Sequence, residues 1–139
     1  MTNLQAAIGV AQLERIDEIH KGRSSYETLY RKALSGQSFE FQKNLKNRQR
    51  ITWLVSFLTN GSKDQLIEQF KNNGIEARTF FLPLSTMKIY KKYSAKANLV
   101  AQKISNNGIS LPTYESLKSL EEIEKILNNI LKTKYDQKE

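Results

Sequence analysis

Arg78 is the side chain best suited to chemistry. It sits in Ile75 to Phe81 (IEARTFF), a run whose composition predicts a strand. A planar, permanently charged guanidinium at that position suits a carboxylate or a phosphate. Alternation puts Arg78 on one face with Glu76 and Phe80, opposite Ile75, Ala77, Thr79 and Phe81. An edge arginine paired with a neighbouring glutamate fits the same pattern. Two aromatics, Phe80 and Phe81, then lead into Leu82 and a chain-turning Pro83. Other reactive types are scarce. His20 is the only histidine, and its neighbours Glu18, Lys21 and Arg23 place it on an exposed turn. Cysteine is absent, which excludes disulfides, thiolate metal sites and cysteine nucleophiles. A second histidine for a metal site, a serine–histidine–carboxylate cluster and a glycine-rich phosphate loop are all missing.

The elements that must position Arg78 fit one domain. A chain of 139 residues is long enough for a core that removes roughly 68% of the unfolded surface from water. Mean hydropathy is −0.57, and no apolar run reaches the ~20 residues of a membrane span. With no secretory pattern at the N-terminus, a cytoplasmic setting without membrane contact is expected. The net charge of +8 attracts anions in general, but charge alone supplies only non-specific attraction, so specific nucleic-acid binding is not expected. The densest basic group, Lys43, Lys46, Arg48 and Arg50, falls in a polar loop.

Taken in order, Thr2 and Gln5 form a capping box that opens a helix. Apolar residues recur at helical spacing from Leu4 to Ala33, with Gly22 as a kink point and Gly36 as a stop. A continuous rod over 3–35 would be roughly 50 Å long. It reads either as a helical hairpin or dimer helix, or as a rod that docks against something outside this chain. Phe39 and Phe41 alternate as in a short strand. ITWLVSFL, residues 51–58, reads as a strand buried on both faces. Ser62 and Gln65 predict a second capping box and a helix ended by Gly74. After Pro83, a short helix is expected over Met87 to Tyr93, another over 95–106, then a strand Ile109 to Leu111 ended by Pro112. Ser119 and Glu122 cap a last helix with the stripe Ile123, Ile126, Leu127, Ile130 and Leu131, and the KYDQKE tail is expected to fray. The fold class is α/β in content, an α+β small domain: a long N-terminal helix and a small mixed sheet with helices packed on it.

Three motifs in order resemble one family. MTNLQAAIGVAQLERIDEI is similar to the start of the small domain of the DegT/DnrJ/StrS sugar-nucleotide aminotransferases. GIEARTFFLPLSTMKIYKKY resembles that family's strand, aromatic pair and proline turn. KISNNGISLPTYESLKSLEEIEKILNNI resembles its closing strand and helix. The resemblance covers nearly the whole chain. It implies the C-terminal domain of a fold-type I transferase dependent on pyridoxal phosphate (PLP), with residues 1–36 as a long interdomain-type helix and 37–139 as the small domain. It implies amino transfer, usually from glutamate, to a keto-sugar carried on a nucleotide. Arg78, Phe80, Phe81, Leu82 and Pro83 match the motif lining the family's sugar-nucleotide cleft. Ser85 stands where many members carry histidine. Leu4, Ala7 and Gly9 are expected to pack against the large domain.

The family's Schiff-base lysine precedes a Gly-Glu-Gly-Gly stretch, and this sequence has no such stretch. The N-terminal PLP-binding domain is therefore expected to be missing or to come from a separate chain. PLP is implied by the family but is not bound covalently here, no catalytic residue is assigned, and the isolated chain is expected to be inactive. A homo-oligomer and a nucleotide-sugar substrate belong to the complete enzyme. A non-catalytic basic interaction module, or one half of a split aminotransferase, are the alternatives.

Overall fold

The computed structural model describes residues 1–36, 38–93, 98–115 and 117–136, with side chains as far as residue 132. Helix α1 (Asn3–Glu14) opens on the expected capping box: Gln5 N–H donates to the Thr2 hydroxyl at 3.3 Å, and Thr2 N–H donates to Gln5 Oε1 at 2.9 Å. Helix α2 (Ile16–Ala33) follows after a single non-helical residue. The break falls at Arg15, not at Gly22, which stays inside α2. Arg15 (φ −111°) turns its guanidinium to Glu18 and to Glu115 in the loop before the last helix, each with a contact at 3.1 Å. Those two carboxylates raise the Arg15 pKa further, the hydrogen bond to Glu18 contributing most. The long rod is thus two helices, divided where a long-range ion pair holds the corner.

Strands β1 (Phe39–Phe41), β2 (Val55–Thr59), β3 (Arg78–Thr79) and β4 (Gly108–Leu111) form one sheet in the order β1-β2-β4-β3. Every pairing is antiparallel, so the sheet is not mixed as expected. A strand–helix–strand order suggests parallel neighbours only if the two strands are adjacent, and here β4 inserts between β2 and β3.

One sheet face carries the core. Val55 and Phe57 of β2, with Ile109 and Leu111 of β4, bury against Tyr30 of α2 and Leu34, which caps that helix. Leu66 and Phe70 of α3 (Lys63–Asn72) and Ile123, Leu127, Ile130 and Leu131 of α5 (Leu120–Asp136) complete it. The α5 stripe packs as its periodicity predicts. Its Ser119–Glu122 box forms in both directions. At α3 only the Ser62 half of the expected box is seen. Helix α3 closes on Gly74 at φ 74°, a left-handed position that glycine takes without strain. Ile75 N–H donates to Phe70 O and Gly74 N–H to Lys71 O, both at 2.9 Å, and Ile75 and Phe70 bury together. That is a Schellman closure with its apolar contact.

Two expected strands are shorter than the sequence suggests. Residues 51–54 leave the ladder, and Trp53 is 65% exposed. Its carbonyl instead accepts from the Thr113 hydroxyl at 2.6 Å, while Thr52 turns inward to Glu27. Residues 75–77 are turned, with Ala77 N–H donating to Ile75 O at 2.9 Å, so pairing begins only at Arg78. In place of the α-helix expected over Met87 to Tyr93, 3₁₀ turns form at Leu84–Thr86 and Lys88–Tyr93, with Met87 extended between them. Helix α4 (Leu99–Asn107) is capped by Asn98. The start expected for it at residue 95 lies outside the described residues, as does the end of the tail at 137–139. Helix α5 itself continues to Asp136.

Candidate functional site

The sheet's second face is where the chemistry-bearing side chains collect. Register puts Arg78 beside Ser110, and Ser110 beside Ser56. The two serine hydroxyls are 2.9 Å apart. Glu40 of β1 stands beside Leu58, and Leu58 beside Gly108. Phe80 extends β3 by one more bond, its N–H donating to Gly108 O at 3.0 Å. These residues alternate with the core set along each strand, so pleating alone puts them on the opposite side.

A concavity of about 370 Å³ opens on this face, lined by Glu40, Gln42, Ser56, Leu58, Phe80 and Ile104 together with Phe41 and Phe57. Ile104 comes from α4, which touches both β2 and β4. Gly108 makes that approach feasible. A Cβ there would stand 2.5 Å from Ile104 O and 2.6 Å from the Phe80 Cβ.

The sequence-predicted residues separate into two groups. Arg78 and Phe80 share the outer face as alternation requires. Arg78 lies at the sheet edge and holds Glu76 Oε1 through Nε at 3.2 Å and Nη2 at 2.8 Å. Both partners are exposed, so that pair contributes little to stability and leaves the guanidinium open to a better anion. Phe81 is 71% exposed and meets Phe80 edge-on at 6.0 Å. Leu82 is exposed as well, while Pro83 and Ser85 are half-buried in the turn. The turn is fixed by the Thr86 hydroxyl and N–H, both donating to Pro83 O, at 2.8 and 3.0 Å. Phe81, Leu82, Pro83 and Ser85 do not line the concavity.

Glu40, Gln42, Ser56, Leu58 and Ile104 were not expected at the site. The F-E-F alternation of β1 pointed outward to Glu40, but only the order of strands brings β1 and α4 to the same face as Phe80. The basic residues lie in a loop, as expected. Arg50 is bound to Glu27 at 3.1 Å, so it is not part of a free basic patch with Lys43, Lys46 and Arg48. His20 lies within α2 and is half-buried, not on an exposed turn.

Glu27 is a buried anion that holds the scaffold. It accepts from Arg31 Nε at 2.8 Å and from the Thr52 hydroxyl. Burial opposes its charge, but Thr52, Arg31 and Arg50 outweigh that and hold the carboxyl below its usual range. Arg31 also donates to Gln42 O at 3.1 Å and lies 5.0 Å over the Phe41 ring, tying α2 to the end of β1. Among the described residues no group of histidine, cysteine or carboxylate side chains could hold a metal ion, and no helix is long and apolar enough to cross a membrane.

Comparison with known proteins agrees with the sequence motifs. The model of the DegT/DnrJ/EryC1/StrS aminotransferase family matches residues 1–131. GDP-perosamine synthase of Vibrio cholerae is 36% identical over 122 residues, covering 84% of this chain and 33% of that protein. The dTDP-4-amino-4,6-dideoxy-D-glucose transaminase of Escherichia coli is 29% identical over 126 residues, 84% of this chain and 34% of that protein. Among solved structures, Helicobacter pylori PseC, an aminotransferase involved in pseudoaminic acid biosynthesis, superposes with a TM-score of 0.77 at 23% identity over 93% of this chain and 36% of its own. A DegT DnrJ EryC1 StrS aminotransferase from Brucella abortus gives 0.79 at 21% identity, over 93% and 35%. The chain spans about a third of the length of the curated relatives it matches. By its motifs, its match over residues 1–131 and its identity to curated members, the chain belongs to the DegT/DnrJ/EryC1/StrS aminotransferase family.

Proposed function

We propose that this chain supplies the C-terminal, substrate-facing part of a PLP-dependent aminotransferase that acts on nucleotide-linked keto-sugars in amino-sugar biosynthesis. The observation that carries this reading is the family match over residues 1–131, with 36% identity to a GDP-perosamine synthase. PLP supplies an electron sink for exchanging an amino group with a carbonyl. The residues present do not fit it as a holding site. No lysine lines the outer-face concavity, and the sequence has no Gly-Glu-Gly-Gly stretch to mark a Schiff-base lysine. Cofactor attachment falls to a large N-terminal domain, on the same polypeptide or a separate one, and no step of the transfer is assigned here.

This chain's own residues shape the substrate side. Residues 77–114 carry Arg78, Lys88, Lys91, Lys92, Lys96 and Lys103 and no aspartate or glutamate. A stretch this rich in cations, with Arg78 met only by the exposed Glu76, suits the phosphates of a nucleotide-sugar. Arg78 exchanges Glu76 for such an anion, and Phe80, Phe81, Leu82, Pro83 and Ser85 wall the cleft. Residues 1–36 act as the interdomain helix and 37–139 as the small domain. The complete enzyme is a cytoplasmic homo-oligomer.

The test is reconstitution. The purified chain with PLP, glutamate and a keto-sugar nucleotide is expected to give no amino sugar, whereas co-expression with a lysine-bearing large domain restores transfer. In that assembly Arg78→Ala should raise KM for the nucleotide-sugar about tenfold, the scale of one charge-assisted contact. Turnover by the isolated chain, or an unchanged KM, would overturn the reading.

A further inference from the structure

The outer-face concavity has a polar side that the substrate wall leaves unused. Glu40 and Gln42 stand two residues apart on β1 and its continuation, so both project toward the concavity that Phe80, Leu58 and Ile104 line with apolar surface. Neither the Glu40 carboxylate nor the Gln42 amide has a hydrogen-bond or ion-pair partner among the described residues. An apolar concavity with a few convergent polar groups is the usual form of a small-ligand site, and about 370 Å³ lies within the range of roughly 300–1,000 Å³ for such sites.

The chemistry narrows the ligand. Phe80 and the two aliphatic side chains favour a flat ring. A carboxylate only accepts hydrogen bonds, so the edge of that ring facing Glu40 must donate. Phosphate is repelled by Glu40 and drawn to the cations Arg78 and Lys88. The ligand therefore has a donating heterocycle at one end and an anion at the other. Among nucleobases, guanine offers adjacent, parallel N1–H and 2-amino donors, which one carboxylate accepts side by side. Adenine presents a ring-nitrogen acceptor beside its amino group. Uracil and thymine flank their single N–H with carbonyl oxygens. Both arrangements put lone pairs against Glu40.

We propose that this concavity is a guanine subsite, with Phe80 as the stacking surface, Glu40 as the residue that selects guanine and Gln42 as a second polar contact. The proposal rests on the nucleotide-sugar reading above and names the base that the site selects.

GMP and AMP carry the same phosphate charge, so non-specific attraction to a +8 chain cancels when the two are compared. Each is titrated into the 139-residue chain and followed by saturation-transfer NMR. GMP is expected to bind at least about fivefold more tightly than AMP, with saturation transferred to the purine ring, because a charge-assisted contact is gained with one and a lone-pair clash met with the other. Glu40→Gln should bring the ratio close to one, and Phe80→Ala should weaken both ligands together. Glu40 is exposed, so Glu40→Gln is expected to keep the wild-type thermal midpoint; Gln42→Ala, giving a smaller loss of preference, is the second variant. Equal binding of GMP and AMP, a preference that survives Glu40→Gln, or no binding of either would overturn the subsite. None of these outcomes touches the aminotransferase reading, which stands or falls on reconstituted amino transfer.

Discussion

Phe80 Cβ lies 2.6 Å from the position a Cβ on Gly108 would occupy. The strand that leads into Phe80 and Phe81 is therefore seated through the absence of one methyl group. Gly108 takes an ordinary extended conformation, φ −83°, so the requirement is space and not backbone freedom. Gly108→Ala should destabilise the chain by about 1–3 kcal/mol, the usual cost of overpacking, because the Ile104 carbonyl on the other side cannot rotate away. Urea denaturation checks the loss. Displacement of Phe80 should appear as shifted aromatic resonances at residues 80 and 81.

Glu27 predicts an acid-sensitive scaffold. Its carboxyl is held below the usual range in the folded chain, so the unfolded chain takes up the proton first as pH falls. The stabilisation is fully present above the ordinary glutamate value of about 4.3 and is lost as pH drops through the lower folded value. Glu27→Gln should cost about 2–4 kcal/mol at neutral pH by leaving Arg31 and Arg50 without their anion. It should also flatten the fall in stability below about pH 4. Denaturation midpoints measured from pH 7 to pH 3 compare the two chains. A wild-type slope retained in Glu27→Gln would contradict the assignment.

Tyr30 joins α2 to the end of β4. Its ring is wholly buried, and its hydroxyl donates to Pro112 O at 3.2 Å. Burial pushes the phenol pKa well above its usual value, with Tyr26 and Tyr114 adding to the shift. Tyr30→Phe should cost about 1 kcal/mol by leaving a buried carbonyl without its donor. Tyr30→Ala should cost about 3–5 kcal/mol by opening a cavity. Thermal unfolding of the pair separates the hydrogen bond from the packing.

Helix α1 buries no residue, and Leu4, Ile8 and Leu13 are each more than half exposed. Such a surface in water favours self-association. The chain alone is expected to form concentration-dependent oligomers by light scattering. Leu4→Lys with Leu13→Glu should shift it toward monomer and leave the thermal midpoint nearly unchanged, since exposed positions lie within about 0.5 kcal/mol of neutral.

Local signals in the sequence were enough for the elements whose causes are local. The capping box at Thr2 and Gln5, the Ser119–Glu122 box, the Gly74 closure and the α5 stripe all depend on residues within a few positions of one another. Side-chain period and hydrogen-bonding type decide such features before the chain meets itself. The alternation of Glu76, Arg78 and Phe80 was legible for the same reason, and so was the edge pairing of Arg78 with Glu76.

What depends on distant partners was not legible. Trp53 and Ile51 lie in a run as apolar as any strand, yet they face solvent because Thr52 is drawn to Glu27 and the Trp53 carbonyl to Thr113. The helix break sits at Arg15 because Glu115, a hundred residues away, holds its guanidinium. The sequence by itself determined the helix caps and the α5 stripe, the family the chain belongs to, and the absence of a marked Schiff-base lysine, since these are matters of local pattern and residue identity. Only the tertiary structure decided that β4 lies between β2 and β3 and that every pairing is antiparallel. It also brought Glu40, Ser56, Phe80 and Ile104 to one concavity. Strand order is set by the total apolar area that the chain can bury at once, and no short stretch of sequence carries that information.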